Sequence, residues 1–147
     1  MQVDMDLFWR KLEQLGDMDA LALATACGEE VTVRPIAALV YGQELLFRTD
    51  EDSRKALHLK KNPNAAISLG LEFYLEGRAR FIGRCTDSDN PEVQRAREVY
   101  TARWPNAFGE GDSYLSGKEV FIAIKPLRVS QWVFNGDEPA GLVHQTL

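Results

Sequence analysis

The segment TDEDSRK, residues 49–55, sets three carboxylates directly ahead of a hydroxyl and two cations. Residues 51–61 read as a helix, with Asp50 as N-cap, Ala56, Leu57 and Leu59 packing inward, and Asn62-Pro63 as its stop. Cations in the first turn of a helix oppose its dipole. A bound anion removes the conflict, because the free N–H groups of that turn, the Ser53 hydroxyl and the charges of Arg54 and Lys55 can all donate to it. Thr49, at the end of the preceding strand, adds another hydroxyl, and the set suits a phosphate. An acid-rich cap followed by ordinary solvated cations is the alternative, and this segment alone does not decide between the two.

Arg34 bears on the choice. It stands between Val33 and Pro35 in a segment of strand character, and Pro35, which has no N–H, leaves the ladder incomplete there and the backbone open to a ligand. Arg34 can converge with the helix start on one anion, or pair with Asp50, Glu51 or Asp52 as a surface salt bridge. Other reactive side chains carry weaker signals. His58, in mid-helix, and His144, in a Gly-containing tail, have no carboxylate or Cys at metal-ligand spacing, so no metal is expected. Cys27 and Cys85 lack the spacing of a zinc or redox motif and read as reduced core or edge residues. Tyr100, Trp104 and Phe108 either cap a cleft or belong to a core.

The elements that must position these residues are short. Leu7, Phe8, Leu12 and Leu15 recur at helical spacing before Gly16, with Asp4 or Asp6 as the cap. Residues 20–26 and 31–40 read as a hairpin and residues 44–49 as a third strand; residues 65–69 and 71–83 are two more, with Gly77 marking a bulge or a close backbone approach. Asn90 and Pro91 open a helix whose Val93, Ala96, Tyr100 and Trp104 share a face. Residues 119–134 supply two strands joined or bent at Pro126. The short connections leave no room for parallel crossovers. Residues 120–124 are apolar on both faces and residues 20–26 carry Leu on one face with Ala or Thr on the other, which suits a small barrel whose outer face is partly covered by a second copy.

A length of 147 residues and 45% hydrophobic content fit one domain over residues 1–147. The formal charge of −5, without a long basic run, argues against nucleic acid. The N-terminal residues mix charges with apolar side chains, which fits neither a signal peptide nor a membrane span, and a cytoplasmic protein is expected.

In order along the chain stand an N-terminal helix, LAT, VRP, a strand ending in Thr, SRK, NP, EGRA and a late strand carrying Trp. This pattern resembles the pyridoxamine 5′-phosphate oxidase-like, FMN-binding split β-barrel family over about residues 7–136, with T…SRK…NP its most specific part. The resemblance implies a mainly β, α+β fold: a six- or seven-stranded antiparallel Greek-key split barrel, homodimeric, with FMN in clefts at the subunit interface. It also implies that Arg34, Ser53, Arg54 and Lys55 hold the FMN phosphate and that Thr49, with Arg48 beside it, lies along the ribityl chain and ring. The backbone of Pro35 and Ile36 would face the isoalloxazine, and Trp132 would reach the cofactor across the dimer.

This chain departs from the vitamin enzymes of that family at several positions. Leu39 stands where they carry a flavin-contacting Lys, Glu72 replaces a Gln that approaches the ring, and no Arg follows Trp132, where they hold substrate with an Arg and a His. The expectation is therefore an FMN-dependent oxidoreductase that exchanges a hydride with a reduced nicotinamide or a small organic substrate, and not a pyridoxamine phosphate oxidase. A flavin- or haem-binding protein without turnover, and a deazaflavin-dependent reductase on the same fold, are the alternatives.

Overall fold

A period of two in apolar side chains sends alternate residues to opposite faces of a sheet. The computed structural model, which describes residues 2–16, 19–109 and 117–147, realises that pattern as one antiparallel sheet of eight strands with three helices. Helix α1 (Met5–Glu13), capped by Asp4, leads into the hairpin β1 (Leu21–Cys27) and β2 (Glu30–Ile36). A second hairpin, β3 (Leu39–Tyr41) and β4 (Glu44–Asp50), is followed by α2 (Arg54–Lys61). Strands β5 (Asn64–Leu69) and β6 (Phe73–Arg84), helix α3 (Pro91–Arg103), and strands β7 (Glu119–Asn135) and β8 (Glu138–Thr146) complete the chain. The strand order is β2-β1-β5-β6-β7-β4-β3, with β8 paired to β7.

Strands β1 and β4 lie well apart in that order, yet Leu21 and Leu23 of β1 share one core with Leu45 and Phe47 of β4 and with Ile67, Leu75, Ile122 and Ile124. The sheet therefore curls on itself as a split barrel. Helix α2 packs on β1 and adds Ala56 and Leu59 to the core, while α1 adds Phe8 and Leu12. Phe8, Phe47 and Phe73 are fully buried, each contributing about 1.5–3 kcal/mol by leaving water. A second cluster lies on the other face of the sheet, where Leu46, Ile82, Phe121 and Ala123 pack against Val93, Ala96 and Tyr100 of α3.

That second cluster corrects one expectation. Residues 120–124 are apolar on both faces because one face is barrel core and the other is covered by α3 of the same chain, so their pattern is no evidence for a second copy. Among the described residues the strands number eight rather than six or seven, for two reasons. The segment 31–40 divides after Ile36, whose partner Leu21 is the first residue of β1, and the chain then crosses to pair with β4. The tail after Trp132 is not loop but the end of β7 and the whole of β8, joined by a tight turn at Gly136, whose φ is +66°. Residues 119–135 form one strand, not two. Pro126 is tolerated because β7 changes partner around it: pairing with β4 ends at Ile124, pairing with β8 begins at Arg128, and the missing N–H falls in between.

Gly77 sits at a register shift between β6 and β7, opposite Pro126. A Cβ there would stand 2.7 Å from the Lys125 carbonyl oxygen and 2.8 Å from Ile124 Cγ2. Backbone cannot retreat as a flexible side chain can. Gly77→Ala is therefore expected to destabilise the fold by about 1–3 kcal/mol, read as a lower midpoint in urea denaturation; an unchanged midpoint would refute the close approach.

Candidate functional site

The site begins where β4 runs into α2. Asp50 is still a strand residue, paired with Glu119, and so does not cap the helix as expected. Its carboxylate accepts from the Asp52 N–H at 2.8 Å, tightening a turn, and Ser53 becomes the N-cap, its Oγ accepting from the Ala56 N–H at 3.3 Å. Arg54 and Lys55 are consequently the first two helical residues, where backbone N–H groups have no intrahelical acceptor. The buried Thr49 hydroxyl lies 3.0 Å from Ser53 Oγ. The later part of the helix also differs from expectation: Leu57 faces solvent, and His58 joins Ala56 and Leu59 as a buried residue.

Arg34 reaches the same place from β2. Its guanidinium donates to Thr25 Oγ1 at 2.8 Å, to Thr32 Oγ1 and, at 3.5 Å, to the Leu23 carbonyl oxygen. These acceptors are neutral. The salt-bridge alternative is not realised, since Glu51 takes Arg84 at 2.9 Å and Asp52 lies 3.6 Å from Lys118 Nζ. Among the described residues no carboxylate pairs with Arg34, Arg54 or Lys55.

The three cations sense one another. Burial, and then the Arg54 guanidinium, holds Arg34 below the usual arginine value; burial, and then the Arg34 guanidinium, lowers Lys55. Both shifts disfavour the charged form, the opposite of what a neighbouring anion does. Like charges gathered beside a helix start and two hydroxyls make a site that an anion would stabilise.

The other candidate residues divide. Pro35 is exposed on the edge strand β2, opposite Ala22, whereas the Ile36 side chain is buried in the barrel core. Arg48 does not join the cations. Alternation along β4 sends it to the face opposite Thr49, where its guanidinium lies 5.0 Å from the Tyr100 ring and 4.9 Å from the Phe108 ring and donates to the Ala107 carbonyl at 2.8 Å. Tyr100, Trp104 and Phe108 thus belong to the second cluster with Phe121, and Trp104 also lines a cavity of about 310 Å³ with Leu12, Leu39 and Val99. Trp132, on β7, is separated from Arg34 by β1, β5 and β6 in the sheet order. Glu72 is engaged by Lys11 and by Gln131, whose amide donates at 3.0 Å.

Three residues of the site are missing from the sequence-based expectation. Thr25 and Thr32 are cross-strand partners on the same face as Arg34, and His58 of α2 lies over them with Nδ1 3.0 Å from Thr25 Oγ1. Their signal was the i, i+2 spacing of Thr32 and Arg34. It becomes legible only once the β1–β2 register is known.

Residues 11–133 match the sequence profile of the pyridoxamine 5′-phosphate oxidase family. The chain belongs to that family. No curated protein sequence matches this family member closely. Among solved structures, a Listeria innocua protein named as a candidate pyridoxamine 5′-phosphate oxidase superposes with a TM-score of 0.63 at 21% identity, covering 84% of this chain and 94% of that one. An FAD-binding protein of Mesorhizobium loti gives 0.60 at 18% identity, covering 84% and 90%. A protein named F420 reductase gives 0.57 at 20% identity, covering 82% and 93%. These likenesses establish the oxidase-family fold. Among the described residues no helix is long and apolar enough to cross a membrane, and no three or more His, Cys, Asp or Glu side chains are grouped as metal ligands.

The position of Arg48 sets a test of its role. Arg48→Ala removes a charged hydrogen bond and two ring contacts, so it is expected to cost on the order of 2 kcal/mol in stability, measured by thermal unfolding. Loss of ligand affinity without loss of stability would place Arg48 in the site instead.

Proposed function

We propose that this family member binds FMN through Arg34, Ser53, Arg54 and Lys55 and works as an oxidoreductase. The observation that carries the reading is the group of three cations at a helix start, among described residues without a carboxylate partner, beside the hydroxyls of Thr49 and Ser53. A phosphate monoester matches that donor set in charge and number. Thr49 and the exposed Pro35 backbone would flank the rest of the cofactor. The fold shared with an FAD-binding protein supports a flavin ligand. Bound FMN would supply hydride transfer to or from a reduced nicotinamide or a small organic molecule. The chain's own part would be to anchor the phosphate, orient the ring and exclude water.

Leu39 packs with the second cluster, and no Arg follows Trp132, which supports a substrate other than pyridoxamine phosphate. A second reading, the larger deazaflavin in the same cleft, is favoured by the likeness to an F420 reductase. The visible spectrum of the purified protein separates flavin from deazaflavin and from haem. Anaerobic reduction by NADH and NADPH, followed by a screen of acceptors that includes pyridoxamine phosphate, tests turnover. Reduction no faster than that of free FMN would leave a binding protein.

We further propose that the protein is a homodimer with Trp132 of each copy completing the other's site. The support is an uncovered sheet face: Val31 and Val33 are 75% and 68% exposed beside the half-buried Ala22, Ala24, Ala26 and Ala66. A second copy laid on this face would bury an apolar surface that a lone chain leaves in water. Light scattering at micromolar concentration is expected to give twice the chain mass; a monomer with FMN bound would end the proposal.

The phosphate assignment is tested by comparing FMN with riboflavin, which lacks the phosphate. Lys55→Ala is expected to lower the affinity for FMN by roughly 10- to 150-fold and to leave that for riboflavin nearly unchanged. Arg34→Ala is expected to act alike. An anion beside Lys55 raises its depressed pKa, so FMN binding should take up protons at alkaline pH, below the ordinary lysine value of about 10.4. The FMN-to-riboflavin affinity ratio should then fall as pH rises through that range. Isothermal titration in buffers of different ionisation enthalpy reads both effects, and a ratio unchanged in Lys55→Ala would mean that the phosphate binds elsewhere.

A further inference from the structure

We propose that His58 is a positioning residue for the anion site, holding Arg34 in place through the proton of the Thr25 hydroxyl. The inference rests on Arg34 being a phosphate ligand. Thr25 Oγ1 is buried and has three polar neighbours: Arg34 Nη1 at 2.8 Å, His58 Nδ1 at 3.0 Å and Thr32 Oγ1 at 3.3 Å. A hydroxyl has one proton to give and two lone pairs to receive. Arg34 can only donate, so one lone pair is committed to it, and the single proton must go to either Thr32 or His58.

Glu30 decides which. His58 is 4% exposed, and its Nε2 makes no hydrogen bond among the described residues but lies 3.6 Å from Glu30 Oε2. Were the Thr25 proton given to Thr32, a neutral His58 would have to carry its proton on Nδ1, and a bare Nε2 lone pair would face a carboxylate. With the proton on Nε2 the contact is attractive, Nδ1 accepts from Thr25, and both Thr25 lone pairs turn to Arg34 and Thr32. Thr32 Oγ1 in turn accepts from Arg34 Nη2. The order of control runs from Glu30 to the His58 tautomer, to the Thr25 rotor, to the guanidinium. Each step is local, yet with the Leu23 carbonyl accepting from Nη1 it fixes both terminal nitrogens of Arg34 and leaves the second Nη2 proton for the ligand.

The arrangement also explains why neutral hydroxyls suffice beside a cation. Carboxylates in place of Thr25 and Thr32 would neutralise Arg34 and compete with the anion. Hydroxyls aim it without cancelling its charge.

The test compares two amides at position 58. Asn places its amide where Nδ1 stands, whereas Gln places its amide near Nε2 and has nothing at the Nδ1 position. With FMN and riboflavin as probes, His58→Asn is expected to keep the FMN-to-riboflavin affinity ratio within about 2-fold of wild type, and His58→Gln to lower it by about 3- to 10-fold. Thr25→Val, which keeps shape but loses the hydroxyl, is expected to lower the ratio at least as much, and combining it with His58→Gln to add little, because both act through one bond. Thermal unfolding checks that the variants fold, and Thr25→Val alone carries the test if Gln at 58 does not. The nitrogen chemical shifts of His58 in labelled protein are expected to report a proton on Nε2 at mildly alkaline pH. Equal ratios for His58→Gln and wild type, equal losses for Asn and Gln, an additive double variant or a proton on Nδ1 would each overturn the proposal. Lys55→Ala, measured alongside, separates the two ideas: if it leaves the ratio unchanged the phosphate reading fails and this proposal with it, and if it lowers the ratio while His58→Gln does not, only the role of His58 fails.

Discussion

The structure depends on β7 being hydrogen-bonded along both edges while changing neighbour on one of them. Its first half lies between β4 and β6, and its second half lies between β6 and β8. One strand therefore builds the barrel core with Val120, Ile122 and Ile124, anchors α3 with Phe121 and Ala123, and carries Trp132 out to the far end. Because β4 is pinned to the first half, its end at Thr49 and Asp50 is fixed against Val120 and Glu119, and the turn into α2 starts from a rigid platform. The position of Ser53, Arg54 and Lys55 follows from that ladder more than from anything local to the helix.

On this platform the protein gathers charge that the rest of the fold does not neutralise. Elsewhere two arginines are matched: Arg80 is held by Glu44 and Glu92, and Arg84 by Glu51. At the site, burial and mutual repulsion disfavour the charged forms of Arg34 and Lys55 instead. Such a cluster costs stability in the empty protein, a cost that a bound anion would offset. The acids ahead of the helix keep clear of it by having other work, Asp50 in its turn and Glu51 on Arg84.

Much of this was legible in the sequence, because it follows from short-range rules. The two-residue period located β1, β4, β5 and β6, Asn90 and Pro91 located the start of α3, and Gly77 announced the close approach of β6 to β7. The features that were not legible depended on pairing between distant segments. Asp50 looked like a cap until its ladder partner Glu119 was known, and Arg48 and Thr49 were assigned to one ligand although a strand must point them to opposite faces. Strand β8 was hidden by Pro139 and Gly141, although Asn135-Gly136 is a strong hairpin signal. The Thr25, Thr32 and His58 cluster needed both the β1–β2 register and the docking of α2 on β1.

Strand β2 ends the sheet, and an unpaired strand rim with Val31 and Val33 in the open is the kind of template onto which stray extended chains add, the first step toward aggregation. Pro35 interrupts that template. It removes one donor from the row, and the charge of Arg34 next to it would have to be stripped of water by any incoming strand. The dipeptide beside the cationic cluster thus also makes this rim a poorer template for an added strand.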